Sequence, residues 1–171
     1  KAAPTAEVIE LKRYEAMVAL ANGKAAIDAL KTAAEYEAEN LDYTRLRFNS
    51  DATMTAVSSI SAMNPYVDTA SGTTNFMSTE NDPHFRINYD PANLSADTYK
   101  YLTVIYCVPS SVTNTTETQV FFRTGSQSGE SEDASVKFNC TKGGFTAKTI
   151  DLSSSSFWTG KIHSIRLDTF R

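Results

Sequence analysis

The chain has 171 residues, a formal net charge of -4 at pH 7 and a sequence pI near 5.2. This length suits one β-sandwich with a small attachment and is too short for two large domains. An acidic chain without a basic stripe is a poor candidate for binding nucleic acid or an anionic membrane surface. No apolar stretch approaches the roughly 20 residues that a membrane span requires, so membrane insertion is not expected.

Residues 1–41 are predicted to form a helical hairpin or linker segment. Thr5 can cap the first helix, and apolar residues follow at intervals of three and four. Asn22-Gly23 then interrupts the pattern, which predicts helices at 5–22 and 24–40, with a single kinked helix as the alternative. The hairpin is expected to pack on the following domain, to space modules or to bind a partner. The opening run Lys1 to Pro4 resembles a linker, so we expect a piece of a longer protein.

Residues 42–171 are predicted to form an all-β domain, because the apolar pattern changes from a helical period to a period of two. Turn-forming residues separate the strands and no helices intervene, which favours two packed antiparallel sheets, with a jelly-roll β-sandwich as the first choice. The predicted strands span 46–49, 54–61, 66–69, 73–78, 84–88, 101–108, 119–124, 136–140, 146–152 and 162–168.

Several short motifs then suggest a family. The segments concerned are Phe48-Asn49-Ser50-Asp51, Asn81-Asp82-Pro83-His84-Phe85, Asp97-Thr98-Tyr99-Lys100-Tyr101-Leu102, Phe145 with Ile150-Asp151-Leu152, and Trp158-x-Gly160-x-Ile162 followed by Arg166-x-Asp168. From Leu46 to Arg171 the chain resembles the galactose-binding-like jelly-roll modules that serve as non-catalytic carbohydrate-binding modules in secreted or cell-surface bacterial proteins. The resemblance implies an extracellular, bacterial module.

Sugar recognition needs aromatic faces that stack on pyranose rings and flat polar side chains that bind hydroxyls. Strand alternation points Leu102, Val104, Tyr106, Val120 and Phe122 to the core and their neighbours outward. The predicted carbohydrate-binding residues are Tyr101, Gln119, Phe121, Arg123, Trp158 and Tyr66. For Tyr101, Ile105 and Phe121 the alternative is a seat for the N-terminal helices, and for Trp158 it is a structural role at the sandwich edge.

The resembling modules often hold one structural calcium ion where their first and last strands meet. The residues that match this seam are Asn49, Asp51 and Asp168, whose oxygens suit calcium, and a lone surface aspartate is the alternative reading. Two interpretations of Cys107 and Cys140 stay open: the pair forms one disulfide, or both are buried thiols.

Chemistry by this chain is not expected. Glu130, Glu132 and Asp133 are interpreted as a solvated, fully ionised acidic turn, and His163 as a packing or hydrogen-bonding residue rather than a base. No serine lies in a nucleophile-elbow context. The prediction is therefore non-catalytic binding of a polysaccharide or oligosaccharide, such as starch or a plant cell-wall glucan, alongside other modules of the parent protein. A structural or adhesin domain that contacts protein is the alternative, and a hydrolase is the third possibility.

Overall fold

The computed structural model describes residues 13–20, 24, 41–113 and 116–169, and the chain divides into two compact units, Lys1–Asn40 and Leu41–Arg171. In the first unit, residues 13–20 are helical and fall within the first predicted helix, and Lys24 is helical as well. The remainder of the predicted hairpin lies outside the described residues. Within the described part of the chain, no helix combines the length and the apolar character needed to cross a membrane.

The described residues of the second unit form nine strands, and every pairing between these strands is antiparallel. The strands are β1 (Val57–Ser61), β2 (Met63–Asp68), β3 (Thr73–Ser78), β4 (His84–Asn88), β5 (Tyr101–Cys107), β6 (Glu117–Thr124), β7 (Ser135–Asn139), β8 (Phe145–Asp151) and β9 (Ile162–Thr169). The prediction of an all-β domain is confirmed.

The strands are arranged in three sheets. A five-stranded main sheet has the order β1-β4-β9-β6-β7. Among the described strands, β2 pairs only with β3 and β5 pairs only with β8. The last strand, β9, therefore lies between β4 and β6 in the centre of the main sheet. Three short 3-10 helices, Asp90–Ala92, Glu132–Ala134 and Leu152–Ser154, follow β4, precede β7 and follow β8.

The hydrophobic core joins the main sheet to the β5–β8 pair. Phe122 of β6 is fully buried and meets the ring of Trp158 edge-on, with the two centroids 5.0 Å apart. Tyr106 of β5 contacts Phe138 of β7 with a centroid distance of 6.4 Å. Alternation along the strands supplies Phe122, Tyr106 and Phe138, because every second side chain of a strand points to the same side, whereas Trp158 comes from the connection between β8 and β9. The main sheet and the β5–β8 pair thus contribute side chains to one hydrophobic core.

The β2–β3 hairpin is held to the same core by one of its faces. Phe76 of β3 stacks on Phe85 of β4 with a centroid distance of 4.5 Å and an interplanar angle of 8°. Met63 of β2 is buried beside them. This contact fixes the hairpin and leaves its opposite face free of the core.

One predicted strand, 46–49, is wrong. The backbone turns there, with the amide of Asn49 donating to the carbonyl of Arg47 at 2.9 Å, and a four-residue helix, Asp51–Met54, follows. Ser50 caps this helix, because its hydroxyl accepts from the amide of Thr53 while the Thr53 hydroxyl accepts from the amide of Ser50. The reciprocal caps stabilise a helix that starts directly after the predicted strand.

Cys107 and Cys140 are both free thiols. Cys107 is exposed at the end of β5, whereas Cys140 is buried with its Sγ 3.3 Å from the hydroxyl of Thr118. Cys107 is in phase with the exposed residues of β5, whereas Cys140, one residue after β7, is in phase with the buried Phe138.

Candidate functional site

The outward face of the β5–β8 pair, which we call the β5–β8 face, is exposed along its whole length. Its residues alternate with core residues such as Leu102 and Ile150, so they point away from the core. They are Tyr101, Thr103, Ile105 and Cys107 on β5 and Phe145, Ala147, Thr149 and Asp151 on β8. Tyr101, Ile105 and Phe145 are 65%, 72% and 69% exposed, which is unusual for large apolar side chains. The face is therefore a candidate contact surface.

The strand register divides the β5–β8 face into a polar end and an apolar end. Tyr101 lies opposite Asp151, and Thr103 lies opposite Thr149 with the two hydroxyls 2.9 Å apart. Further along, Ile105 faces Ala147 and Cys107 faces Phe145. These four cross-strand pairs extend over roughly 20 Å along the strands, at the usual rise per residue of a strand. The polar end combines an aromatic ring with hydroxyl and carboxylate groups, and no lysine or arginine lies on the face.

The outward face of the β2–β3 hairpin, which we call the hairpin face, is smaller. Tyr66 lies opposite Asn75, and Asn64 lies opposite Met77, and all four side chains are exposed. Tyr66 is 60% and Met77 59% exposed. An aromatic ring flanked by two amides is again a combination of a flat apolar surface with donors and acceptors.

Gln119 and Phe121 point away from the core as predicted, but the expectation that they are exposed is wrong, because both are buried. The amide nitrogen of Gln119 donates to Glu132 at 2.8 Å and to the hydroxyl of Ser135 at 2.7 Å. The guanidinium of Arg166 lies over the ring of Phe121, 5.2 Å from its centroid. Neighbouring side chains on the outer face of the main sheet thus cover both residues.

Glu130 is not part of a solvated acidic turn, which corrects the sequence interpretation. It accepts two hydrogen bonds from Arg86, at 2.7 and 2.8 Å, and Arg166 approaches to 3.5 Å. Burial pushes the pKa of Glu130 upward, but the hydrogen bond and charge of Arg86 and the charge of Arg166 outweigh it, so the pKa lies below its ordinary value. Glu130 is therefore ionised, as predicted, but as part of a partly buried ion network.

Arg123 belongs to a second charged group at one end of the main sheet. Its Nη2 lies 3.6 Å from Asp90, which Lys161 approaches to 3.3 Å. Asp90 also contacts Nδ1 of His163 at 2.6 Å, and this hydrogen bond is the largest cause that holds the pKa of Asp90 below its ordinary value. The second ring nitrogen of His163 is 3.0 Å from the carbonyl of Gly125. His163 thus makes the hydrogen bonds that the sequence analysis expected of it.

Trp158 is buried, which corrects its inclusion among the predicted sugar-contact residues. Besides packing on Phe122, it donates its Nε1 hydrogen to the carbonyl of Tyr99 at 2.9 Å. This position matches the structural alternative. Of the six predicted sugar-contact residues, Tyr101 and Tyr66 are exposed aromatic rings.

The residues around Asp168 are a poor fit for calcium. Within the described part of the chain, Asp168 is grouped with Asp82 and His84, and their ligand atoms lie within 4.8 Å of one another. Asp51 is outside this group. Both carboxylate oxygens of Asp168 accept from Arg166, at 2.6 and 2.7 Å. Calcium prefers oxygen ligands, while His84 offers nitrogen and the Arg166 guanidinium already supplies a positive charge. The seam between first and last strands is also missing, because β9 pairs with β4 and β6.

Sequence reasoning missed three residues of these faces: Phe145, Thr149 and Asn75. The predicted strand 146–152 began one residue after Phe145. Extending the alternation backwards from the buried Ile150 would have placed Phe145 and Thr149 outward. Comparison with protein-family models, curated proteins and solved structures finds no match for this chain.

Proposed function

We propose that this chain is a non-catalytic polysaccharide-binding module that uses the polar end of the β5–β8 face. The observation that supports the proposal most is the ring of Tyr101, which is largely exposed on a flat sheet beside Thr103, Thr149 and Asp151. Such a ring can stack on the C–H face of a pyranose, and the adjacent hydroxyl and carboxylate groups can bind its hydroxyls.

The sheet gives the proposed site a rigid support. Leu102, Val104 and Ile150, on the opposite side of the same two strands, pack into the core. Tyr101 therefore needs little ordering when a ligand binds, which lowers the entropic cost of a weak contact. Because the face carries no basic side chain, a neutral polysaccharide, such as starch or a plant cell-wall glucan, fits it better than an acidic one.

The wider proposal follows the family resemblance. The domain adopts a jelly-roll sandwich preceded by a helical hairpin, and it anchors a secreted or cell-surface bacterial protein to its polysaccharide. Stacking on one ring gives modest affinity, so linkage to other modules of the parent protein raises retention by avidity.

Retention of the purified chain on insoluble starch, cellulose and xylan tests this proposal, with Tyr101→Ala beside the parent chain. Tyr14→Ala is the matched control, because Tyr14 is also 65% exposed but lies on the helical segment 13–20. We expect retention on at least one glycan, a clear loss in Tyr101→Ala and none in Tyr14→Ala. Soluble oligosaccharides incubated with the chain are expected to stay intact, and shorter products would show a hydrolase instead.

One observation favours the second candidate, a structural or adhesin domain that contacts protein. The apolar end of the β5–β8 face exposes Ile105 and Phe145, and an aliphatic side chain contributes little to sugar stacking. Light scattering of the parent chain and of Ile105→Lys separates the two functions. Absence of retention on every glycan, together with an association that Ile105→Lys abolishes, supports the protein contact.

A further inference from the structure

The hairpin face has the composition of a sugar-contact surface in its own right. Tyr66 supplies its aromatic ring, Asn75 lies directly opposite, and Asn64 is two residues away on the same strand. Within the described residues, no hydrogen bond engages the side-chain amides of Asn64 and Asn75, and no ion pair or ring contact involves them. The ring and both amides are therefore available to a ligand.

The chemistry of these side chains selects the class of ligand. Each asparagine offers one acceptor oxygen and two donor hydrogens, which matches sugar hydroxyls because these also donate and accept. Asn64, Tyr66, Asn75 and Met77 carry no charge, and Asp68, at the end of the same face, is acidic. The face therefore has no positive group to pair with a phosphate, a sulfate or a carboxylate. A neutral, polyhydroxylated ligand with an apolar ring face fits best.

The hairpin face and the β5–β8 face are built on different sheets. In the part of the chain that the structure describes, β2 and β3 pair only with each other, as do β5 and β8, so the two faces share no strand there. The hairpin is anchored separately, through the stacking of Phe76 on Phe85. A substitution on one face therefore leaves the support of the other intact.

We propose that the hairpin face is a second, independent contact site for neutral polysaccharide, centred on Tyr66, so that one domain engages two glycan segments. This inference rests on the proposed function of the β5–β8 face. Two weak sites on one domain strengthen retention on an insoluble polymer, where a second glycan segment is always close by, and they let the domain cross-link soluble chains.

Amide NMR spectra of the full chain, titrated with maltohexaose, cellohexaose and xylohexaose, test the inference. One of these probes is expected to shift two groups of signals, around Tyr66 and Asn75 and around Tyr101 and Thr149. In Tyr66→Ala and in Asn75→Ala the first group stops responding, while the second titrates as in the parent chain. Retention on the matching insoluble glycan falls by about tenfold in Tyr66→Ala, because avidity is lost, and Tyr14→Ala retains the parent behaviour.

The outcomes distinguish the two proposals. If only the Tyr101 group shifts and Tyr66→Ala is retained like the parent chain, the second site is overturned and the proposed function stands. If Tyr66→Ala abolishes both groups of shifts, the faces form one site and independence is overturned. If no probe shifts any signal and no glycan retains the chain, both proposals fail.

Discussion

Arg86 and Glu130 are 44 residues apart in the sequence and form two parallel hydrogen bonds, Nε to Oε1 at 2.7 Å and Nη2 to Oε2 at 2.8 Å. The pair ties the connection between β6 and β7 to β4, on the outer face of the main sheet. Two-point contacts of this kind combine charge with a fixed geometry, which makes them stronger than a single exposed ion pair.

Glu130→Gln is expected to lower the free energy of unfolding at pH 7 by on the order of 1–2 kcal/mol, because Arg86 loses its charged acceptor. The folded-state pKa of Glu130 lies below its ordinary value, so its stabilisation is complete above that value and is lost as the pH falls through the folded-state pKa. Urea unfolding between pH 7 and pH 3 should show that the free energy of unfolding falls less with acidification in Glu130→Gln than in the parent chain. Asp133→Asn, an exposed neighbour, is the control, and equal acid profiles of Glu130→Gln and the parent chain would contradict the assignment.

Because Tyr89 is buried, we expect the protein to lose stability at alkaline pH. Burial, with a smaller contribution from Tyr43, raises the pKa of Tyr89 to about 12. Since the unfolded chain ionises this phenol near pH 10, stability is full below that pH and declines until the folded-state pKa is passed. The loss at pH 11 is roughly 1.4 kcal/mol. Tyr89→Phe should lack this component in thermal unfolding compared between pH 9 and pH 11, and an unchanged alkaline limb would argue against a buried Tyr89.

Gly125 is expected to resist substitution. Its φ is +58°, and an added Cβ would lie 3.0 Å from the carbonyl oxygen of Thr159. Gly125→Ala should therefore cost at least about 1–2 kcal/mol from the left-handed backbone alone. Gly129 has no atom within 4 Å of the same position and no positive φ, so Gly129→Ala should be nearly neutral. Similar melting temperatures for the two variants would be inconsistent with this turn.

Trp158→Phe should affect stability rather than ligand binding. It removes the hydrogen bond to the Tyr99 carbonyl and part of the contact with Phe122, at a cost of about 1–3 kcal/mol. Glycan retention per folded molecule is expected to match that of the parent chain at a temperature where both are folded. A selective loss of retention with unchanged melting would return Trp158 to the list of contact residues.

The sequence pattern predicted the strands well, and for a local reason. Strands 73–78 and 84–88 were predicted with the bounds that β3 and β4 have, because alternation and turn residues are visible within a few positions. Alternation also oriented Phe121 correctly. Its burial depends on Arg166, 45 positions away, which no local pattern reports. Likewise, the helix after Ser50 arises from reciprocal caps that compete with a plausible strand.

The most direct test of the account is the retention of the parent chain and of Tyr101→Ala on insoluble starch, cellulose and xylan. Stacking of one ring is worth about 0.5–1.5 kcal/mol beyond its buried area, so Tyr101→Ala should bind at least roughly two- to tenfold more weakly. We expect the parent chain to be retained on one of these glycans and this loss to appear in Tyr101→Ala, with Tyr14→Ala unchanged. Equal retention of the parent chain and Tyr101→Ala, or no retention of either, would contradict it.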